Sequence, residues 1–328
     1  MIRTRVGRAL IAGVVLAGGA VGLHAQTAAM ASPIATPANA SGLQRLLDAE
    51  LARFPGVAGV WVKHLTTGEE AGVRADDGFN SASVIKIPVM LQAMQQADAK
   101  RLSLSDRVTI APADYVGGTG IFRYNDGGLQ PTLRDVLLQM IITSDNTATD
   151  LAIARVGGVG AVNAWLAQLG YGTTLKLNYT VRDVFAKRAA LPQGSDPTEH
   201  TRSDRGYWLG EMTPRATGRM LEAIQRCADG TAAAPAIASK ESCTDMMRML
   251  RAQQLGVRRL PHFLGVPVAH KTGDFPPVVA NDVGVIFARS GPIVVSFFSN
   301  SITGQYAEAE DRIGRIAQLI VEYFDGNR

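Results

Sequence analysis

Phe79-Asn80-Ser81-Ala82-Ser83-Val84-Ile85-Lys86-Ile87-Pro88 is the stretch on which the reading of this chain turns. In helical backbone, side chains at i and i+3 share one face, so Ser83 and Lys86 fall within hydrogen-bond reach of one another. A serine hydroxyl is a weak nucleophile near neutral pH and needs an adjacent base, which makes Ser83 a candidate nucleophile and Lys86 its activator. Pro88 agrees with a helix that has only just begun, because proline is poorly placed further inside one. The duller reading is a helix-capping serine beside a surface lysine, and one short pattern does not separate the two.

Two more polar triplets follow in order, Ser144-Asp145-Asn146 and Lys271-Thr272-Gly273. A lysine serves as a base only where burial or a nearby positive charge lowers its pKa, and Lys271 supplies such a charge if the fold brings the segments together. S-x-x-K, S-D-N and K-T-G in this order are the mark of class A β-lactamases and penicillin-binding proteins, and the chain resembles that family. Gly118-Thr119-Gly120-Ile121, Asn146-Thr147-Ala148 and Asn281-Asp282-Val283-Gly284 extend the resemblance over about residues 41 to 328. The interval from Ser83 to Ser144 is family-like, whereas that from Ser144 to Lys271 is long, and Ala186 to Tyr207 reads as an insertion.

The resemblance implies an α+β fold of the β-lactamase/transpeptidase type. Its five-stranded antiparallel sheet is flanked by terminal helices (about 41–95 and 255–328) and joined to an all-helical part (about 96–254). It also implies roles. Ser83 attacks the lactam carbonyl and is acylated, Lys86 activates it directly or through a relay, and Ser144 passes a proton to the lactam nitrogen. Asn146 holds the substrate's amide side chain, while Lys271, Thr272 and Gly273 form the strand that binds its carboxylate. Backbone N–H groups, that of Ser83 among them, meet the oxyanion. The departure concerns deacylation: where the family has a water-activating Glu in a Glu-x-x-x-Asn pattern, this chain has Thr180, in Asn178-Tyr179-Thr180-Val181-Arg182-Asp183. Glu199, Asp183 and Glu211 are the substitutes to weigh, none in a matching motif. The implied function is a serine β-lactamase acting through an acyl-enzyme, with a slowly deacylating penicillin-binding D,D-peptidase as the alternative and a β-lactam sensor third. The implied partner is a β-lactam or D-alanyl-D-alanine-like small molecule. His270 before Lys271, where many family members have an acid, leaves substrate range open.

Composition narrows the remaining classes. At 328 residues with 46% hydrophobic residues the chain can bury a large core. Arg3, Arg5 and Arg8 precede an apolar, Gly-rich run from Ala9 to Leu23 that is short for a membrane span, so residues 1–25 read as a cleaved export signal and 26–40 as an Ala/Thr/Ser/Pro linker. The expected product is exported, periplasmic or secreted, monomeric and free of the membrane. Removing those three arginines takes the formal net charge from +4 to +1, against a nucleic-acid footprint. Cys227 and Cys243 form either a disulfide or two buried thiols; the sequence leaves both open. The five histidines and two cysteines have no metal-ligand spacing, and Gly117 to Gly120 and Gly157 to Gly160 lack the full dinucleotide pattern, so no metal or cofactor is expected.

Periodicity supplies the elements. Leu43, Leu46, Leu47 and Leu51 after Ser41 predict an amphipathic helix; Val57–Leu65 and Glu69–Ala75 predict a hairpin. Val266–Lys271, Val283–Ala288 and Ile293–Ser299 predict three strands, the last two joined at Ser290-Gly291-Pro292, and Ile313, Ile316, Ile320 and Phe324 predict a closing helix. Thr132 with Asp135 predicts a capped helix ending near Thr143 that leaves Ser144-Asp145-Asn146 on a loop, Gly170 closes a further helix, and Thr213-Pro214 opens another.

Overall fold

Helix α1 (Gly42–Leu51) begins where a hydroxyl meets free backbone donors: Ser41 accepts a hydrogen bond from Gln44 N, and Leu43 and Leu47, one turn apart, are wholly buried. The structure is a computed structural model that describes residues 41–233 and 236–326. The expected export signal (1–25) and the linker (26–40) lie outside the described residues. Strands β1 (Val57–His64) and β2 (Glu70–Val73) form the predicted hairpin, after which β3 (Phe79–Asn80) leads into a 3-10 turn, Ala82–Ile85, continuous with α2 (Lys86–Asp98). Helices α3 (Leu133–Ile142), α4 (Asn146–Arg155) and α5 (Gly158–Gln168) follow, then β4 (Leu175–Leu177), α6 (Val181–Ala189), α7 (Pro197–Ser203) and β5 (Gly210–Met212). Helices α8 (Pro214–Asp229) and α9 (Lys240–Arg251) precede β6 (Val268–Phe275), β7 (Val279–Ala288), β8 (Gly291–Asn300) and the closing helix α10 (Tyr306–Gly326).

The main sheet has the order β2-β1-β8-β7-β6, antiparallel throughout, so strands from both ends of the chain lie side by side. Successive residues of a strand face opposite sides, and β8 divides accordingly. Ile293, Val295 and Phe297 pack with Leu43, Leu47, Ile313 and Ile320 of the terminal helices. Val294 and Phe298 face Trp61 and the α8 residues Met220, Leu221 and Ile224. Helices on both faces explain why these strands read as apolar runs rather than as alternating ones. No helix among the described residues is long and apolar enough to cross a membrane.

The helix caps fall as predicted. Thr132 and Asp135 form a reciprocal capping box, Thr143 ends α3, Thr213 caps α8, and Gly170 follows α5 with φ of +83°. Three details differ. The β7–β8 turn is Arg289-Ser290, with Ala288 already paired to Gly291, because a two-residue hairpin needs nothing more. Strand β6 runs past Lys271 to Phe275, since Thr272 and Gly273 find partners in Asp282 and Asn281 of β7. The middle of the chain is also not purely helical: β3, β5 and β4 form a small sheet in which Phe79 and Leu175 both oppose Met212, and strands of two or three residues carry no readable period. The insertion is ordered secondary structure, with α7 held by a hydrogen bond from Trp208 Nε1 to Thr201 O at 2.8 Å.

Cys227 and Cys243 are joined, tying the end of α8 to the start of α9 across 16 positions. Restricting the unfolded chain over such a loop is worth about 3 kcal/mol. Replacing both cysteines by Ala is expected to lower the unfolding free energy by about that amount, read from paired denaturant titrations. Unchanged midpoints and slopes would show that the link contributes nothing.

Candidate active site

The turn that carries Ser83 is held from several sides. Ala82, just before Ser83, has φ of +41°, a strained value for a residue with a side chain. It is kept there by its own N–H, which donates to Asn80 Oδ1 at 3.0 Å, and by Asn281 of β7, whose Nδ2 donates to Asn80 O at 2.8 Å and Ser81 O at 3.2 Å. Gly273 permits the approach of β6, since a Cβ there would lie 2.6 Å from Ser81 O. These contacts set Ser83 in the wall of a cleft of about 210 Å³ that Ser144, Asn146, Phe185, Arg188 and Asp274 also line.

Lys86 is fully buried beside it. Its Nζ donates to Ser144 O at 2.7 Å, Ser144 Oγ at 3.0 Å and Asn146 Oδ1 at 3.1 Å. An ammonium has three hydrogens, so all are used. The expected direct hydrogen bond between Lys86 and the Ser83 hydroxyl is therefore not formed; the amine is drawn instead to the oxygens at the α3–α4 junction. Burial first, and then the positive charge of Lys271, holds the Lys86 amine well below its ordinary pKa, against the opposing pull of Asp145, Asp150 and Asp274.

Ser144 stands at the centre. It has φ of +54°, and its neighbour Asp145 fixes the turn: the Asp145 carboxylate caps α4 through Ala148 N at 2.8 Å and accepts from Ile121 N and Phe122 N at 2.6 and 2.8 Å. Gly120 makes room, as a Cβ there would fall 2.3 Å from the Asp145 carboxyl carbon. Ser144 Oγ accepts from Lys86 at 3.0 Å and from Lys271 at 3.1 Å. With both lone pairs engaged, the hydroxyl hydrogen is the part left to act as donor. Asn146 begins α4 rather than sitting on the loop; its Oδ1 accepts from Lys86 and its Nδ2 donates to Gly117 O at 2.8 Å.

Lys271 is also fully buried, and burial lowers its pKa to about 8, opposed by Asp274 and Asp282. Thr272 is wholly enclosed, its methyl against Gly256, and its hydroxyl has no partner among the described residues; neither Lys271 nor Thr272 lines the cleft directly.

None of the three candidate acids lines the cleft. Asp183 accepts from Thr180 Oγ1 at 2.7 Å, Glu199 pairs with Arg202 at 3.3 Å, and Glu211 pairs with Arg205 at 2.7 Å. Thr180 serves as the N-cap of α6. Sequence reasoning missed Asp150, whose carboxylate, raised in pKa by burial, accepts from Val181 N at 2.7 Å and Arg182 N at 3.0 Å and so ties α4 to α6. One turn after Asn146 on the same helix, it had a positional signal, and Asn80 lay in the stretch that leads into Ser83; Arg188, which lies in no such stretch, had none.

Residues 41–324 match the family model described as the β-lactamase enzyme family. The chain is 30% identical to a β-lactamase of Rhodobacter capsulatus over 63% of its own length and 69% of that protein's. It is 33% identical to β-lactamase L2 of Stenotrophomonas maltophilia, a match spanning 44% of this chain and 46% of the relative. A solved β-lactamase structure from Sphaerobacter thermophilus superposes with a TM-score of 0.70 at 30% identity, covering 87% of this chain and 97% of that one. The turn that carries Ser83 and the two-lysine cradle around Ser144 thus sit in a fold shared with that solved structure, and the chain belongs to the β-lactamase enzyme family.

Proposed function

We propose that this chain is an exported, monomeric class A-type serine β-lactamase that opens the lactam amide through an acyl-enzyme on Ser83. The observation that carries the reading is Ser144 Oγ held between two buried amines, at 3.0 Å from Lys86 and 3.1 Å from Lys271, in the same cleft as Ser83. Lys86, whose burial beside a second lysine favours the neutral amine, takes the Ser83 proton on the lone pair that this form gains when one of the three present hydrogen bonds is given up. Ser144 relays a proton to the lactam nitrogen, and Lys271 keeps the charge that orients Ser144 and draws the substrate's carboxylate. Donors already fixed in a dry site stabilise the developing charge without reorganisation. The disulfide between Cys227 and Cys243 supports an oxidising compartment.

Since Asp183, Glu199 and Glu211 do not line the cleft and are engaged elsewhere, the lysines and Ser144 serve both half-reactions, and deacylation is the slower. The expected result with a chromogenic cephalosporin is a burst of about one equivalent followed by continued, slower hydrolysis. Intact-mass analysis during turnover is expected to find a single adduct, and peptide mapping to find it on the peptide containing Ser83. A burst with no later hydrolysis would favour the D,D-peptidase reading. No adduct at all would end the proposal.

A further inference from the structure

We propose that Arg188 is a specificity residue that selects β-lactams whose acylamino side chain carries a second anionic group, a carboxylate or sulfonate, by binding that group inside the cleft. The inference rests on the cleft being the β-lactam site. Arg188 lies in the last turn of α6, within the inserted segment, and lines the same cleft as Ser83 and Asn146. Its guanidinium carbon sits 3.8 Å from the centroid of the Phe275 ring at the end of β6.

Most of its bonding capacity is unspent. Nη2 reaches Thr201 Oγ1 and Tyr207 O at 3.3 Å each, and the buried Nε has no partner among the described residues, whereas a guanidinium offers five N–H donors. The other two arginines of the insertion are paired, Arg202 with Glu199 and Arg205 with Glu211. Arg188 has only burial acting on it, which lowers its pKa to about 10 and leaves it cationic at neutral pH. The acid in the same cleft, Asp274, is committed to Arg259 and to Tyr306 Oη. A desolvated, half-bonded cation is thus ready for an oxyanion, with which its fork makes two charge-assisted bonds.

The position names which part of the substrate it meets. In the role that the family resemblance implies, Asn146 holds the acylamino side chain, and Phe185 stands beside it: a Cβ on Gly118 would touch both Asn146 Nδ2 and the Phe185 ring. Arg188 is one turn further along α6, so the far end of that side chain reaches it. The carboxylate next to the scissile bond goes to Lys271, so the group at Arg188 is a different one.

The test compares benzylpenicillin with carbenicillin, which adds one side-chain carboxylate, in the full-length mature protein. Arg188→Met is expected to lower the carbenicillin to benzylpenicillin ratio of kcat/KM by about tenfold to a hundredfold. Arg188→Lys is expected to fall between, because an ammonium keeps the charge and loses the fork. In the unaltered protein the ratio is expected to drop as salt is raised from low ionic strength. Equal losses on both penicillins in Arg188→Met would show a packing role and overturn the inference, as would a ratio indifferent to salt. If Arg188→Met does not fold, the salt series and Arg188→Lys still decide. Failure of the unaltered protein to react with either penicillin would overturn the underlying β-lactam reading, a separate and recognisable result.

Discussion

Replacing Ser83 by Ala is expected to lower kcat/KM for a chromogenic cephalosporin by about 10⁴-fold or more while leaving the melting temperature nearly unchanged. The hydroxyl is the only atom lost. Ser83 is partly exposed at the cleft and its turn is held by Asn80, Asn281 and the absence of a side chain at Gly273, none of which touches Oγ. With Lys86 and Ser144 intact, the variant still binds substrate, so competition against the parent enzyme separates lost chemistry from lost binding. Residual activity above about a hundredth of the parent's would mean that another group is acylated.

Lys86→Met is expected to separate activity from stability. It removes the base, which general-base catalysis values at about 10² to 10⁴ in the acylation rate. In the parent, acylation is expected to rise with pH as Lys86 loses its proton, at a value held below the ordinary one, and to fall above about pH 8 as Lys271 loses its charge, giving a bell. In Lys86→Met the rising limb disappears and the falling one stays. Stability moves the other way. The folded protein holds this amine below the ordinary value of 10.5, so the unfolded chain binds more protons and the amine opposes folding at neutral pH. That opposition eases as pH rises from the lowered value toward 10.5. The methionine leaves two of the acceptors well served, since Ser144 O takes a bond from Thr119 Oγ1 at 2.7 Å and Ser144 Oγ one from Lys271. The melting temperature is therefore expected to rise at neutral pH, the gain fading toward pH 10.5. A lower melting temperature would show that the amine's hydrogen bonds outweigh its burial.

Local chemistry explains what could be read in advance. Thr132 with Asp135, Thr213-Pro214 and Ser41 mark helix starts because their side chains satisfy donors only a few residues away. The apolar runs of β1, β7 and β8 betray strands covered on both faces, and the trio of short signatures brought with it the family's fold and roles. Two-residue β3 and three-residue β4 and β5 are too short for periodicity, and the end of β6 depends on partners in β7 that no local window contains.

By itself, then, the sequence determined most of the element types, the order of the signatures and the candidate nucleophile with its lysines, because each rests on contacts within a few residues or on a shared family pattern. Only the tertiary structure decided where charges and hydrogens go. It turned Lys86 from Ser83 to Ser144, closed Cys227 onto Cys243, kept Asp183, Glu199 and Glu211 out of the cleft lining and left Arg188 Nε without a partner among the described residues. Those outcomes depend on groups 16 to 127 positions apart being packed together and cut off from water, and burial of that kind has no local signature.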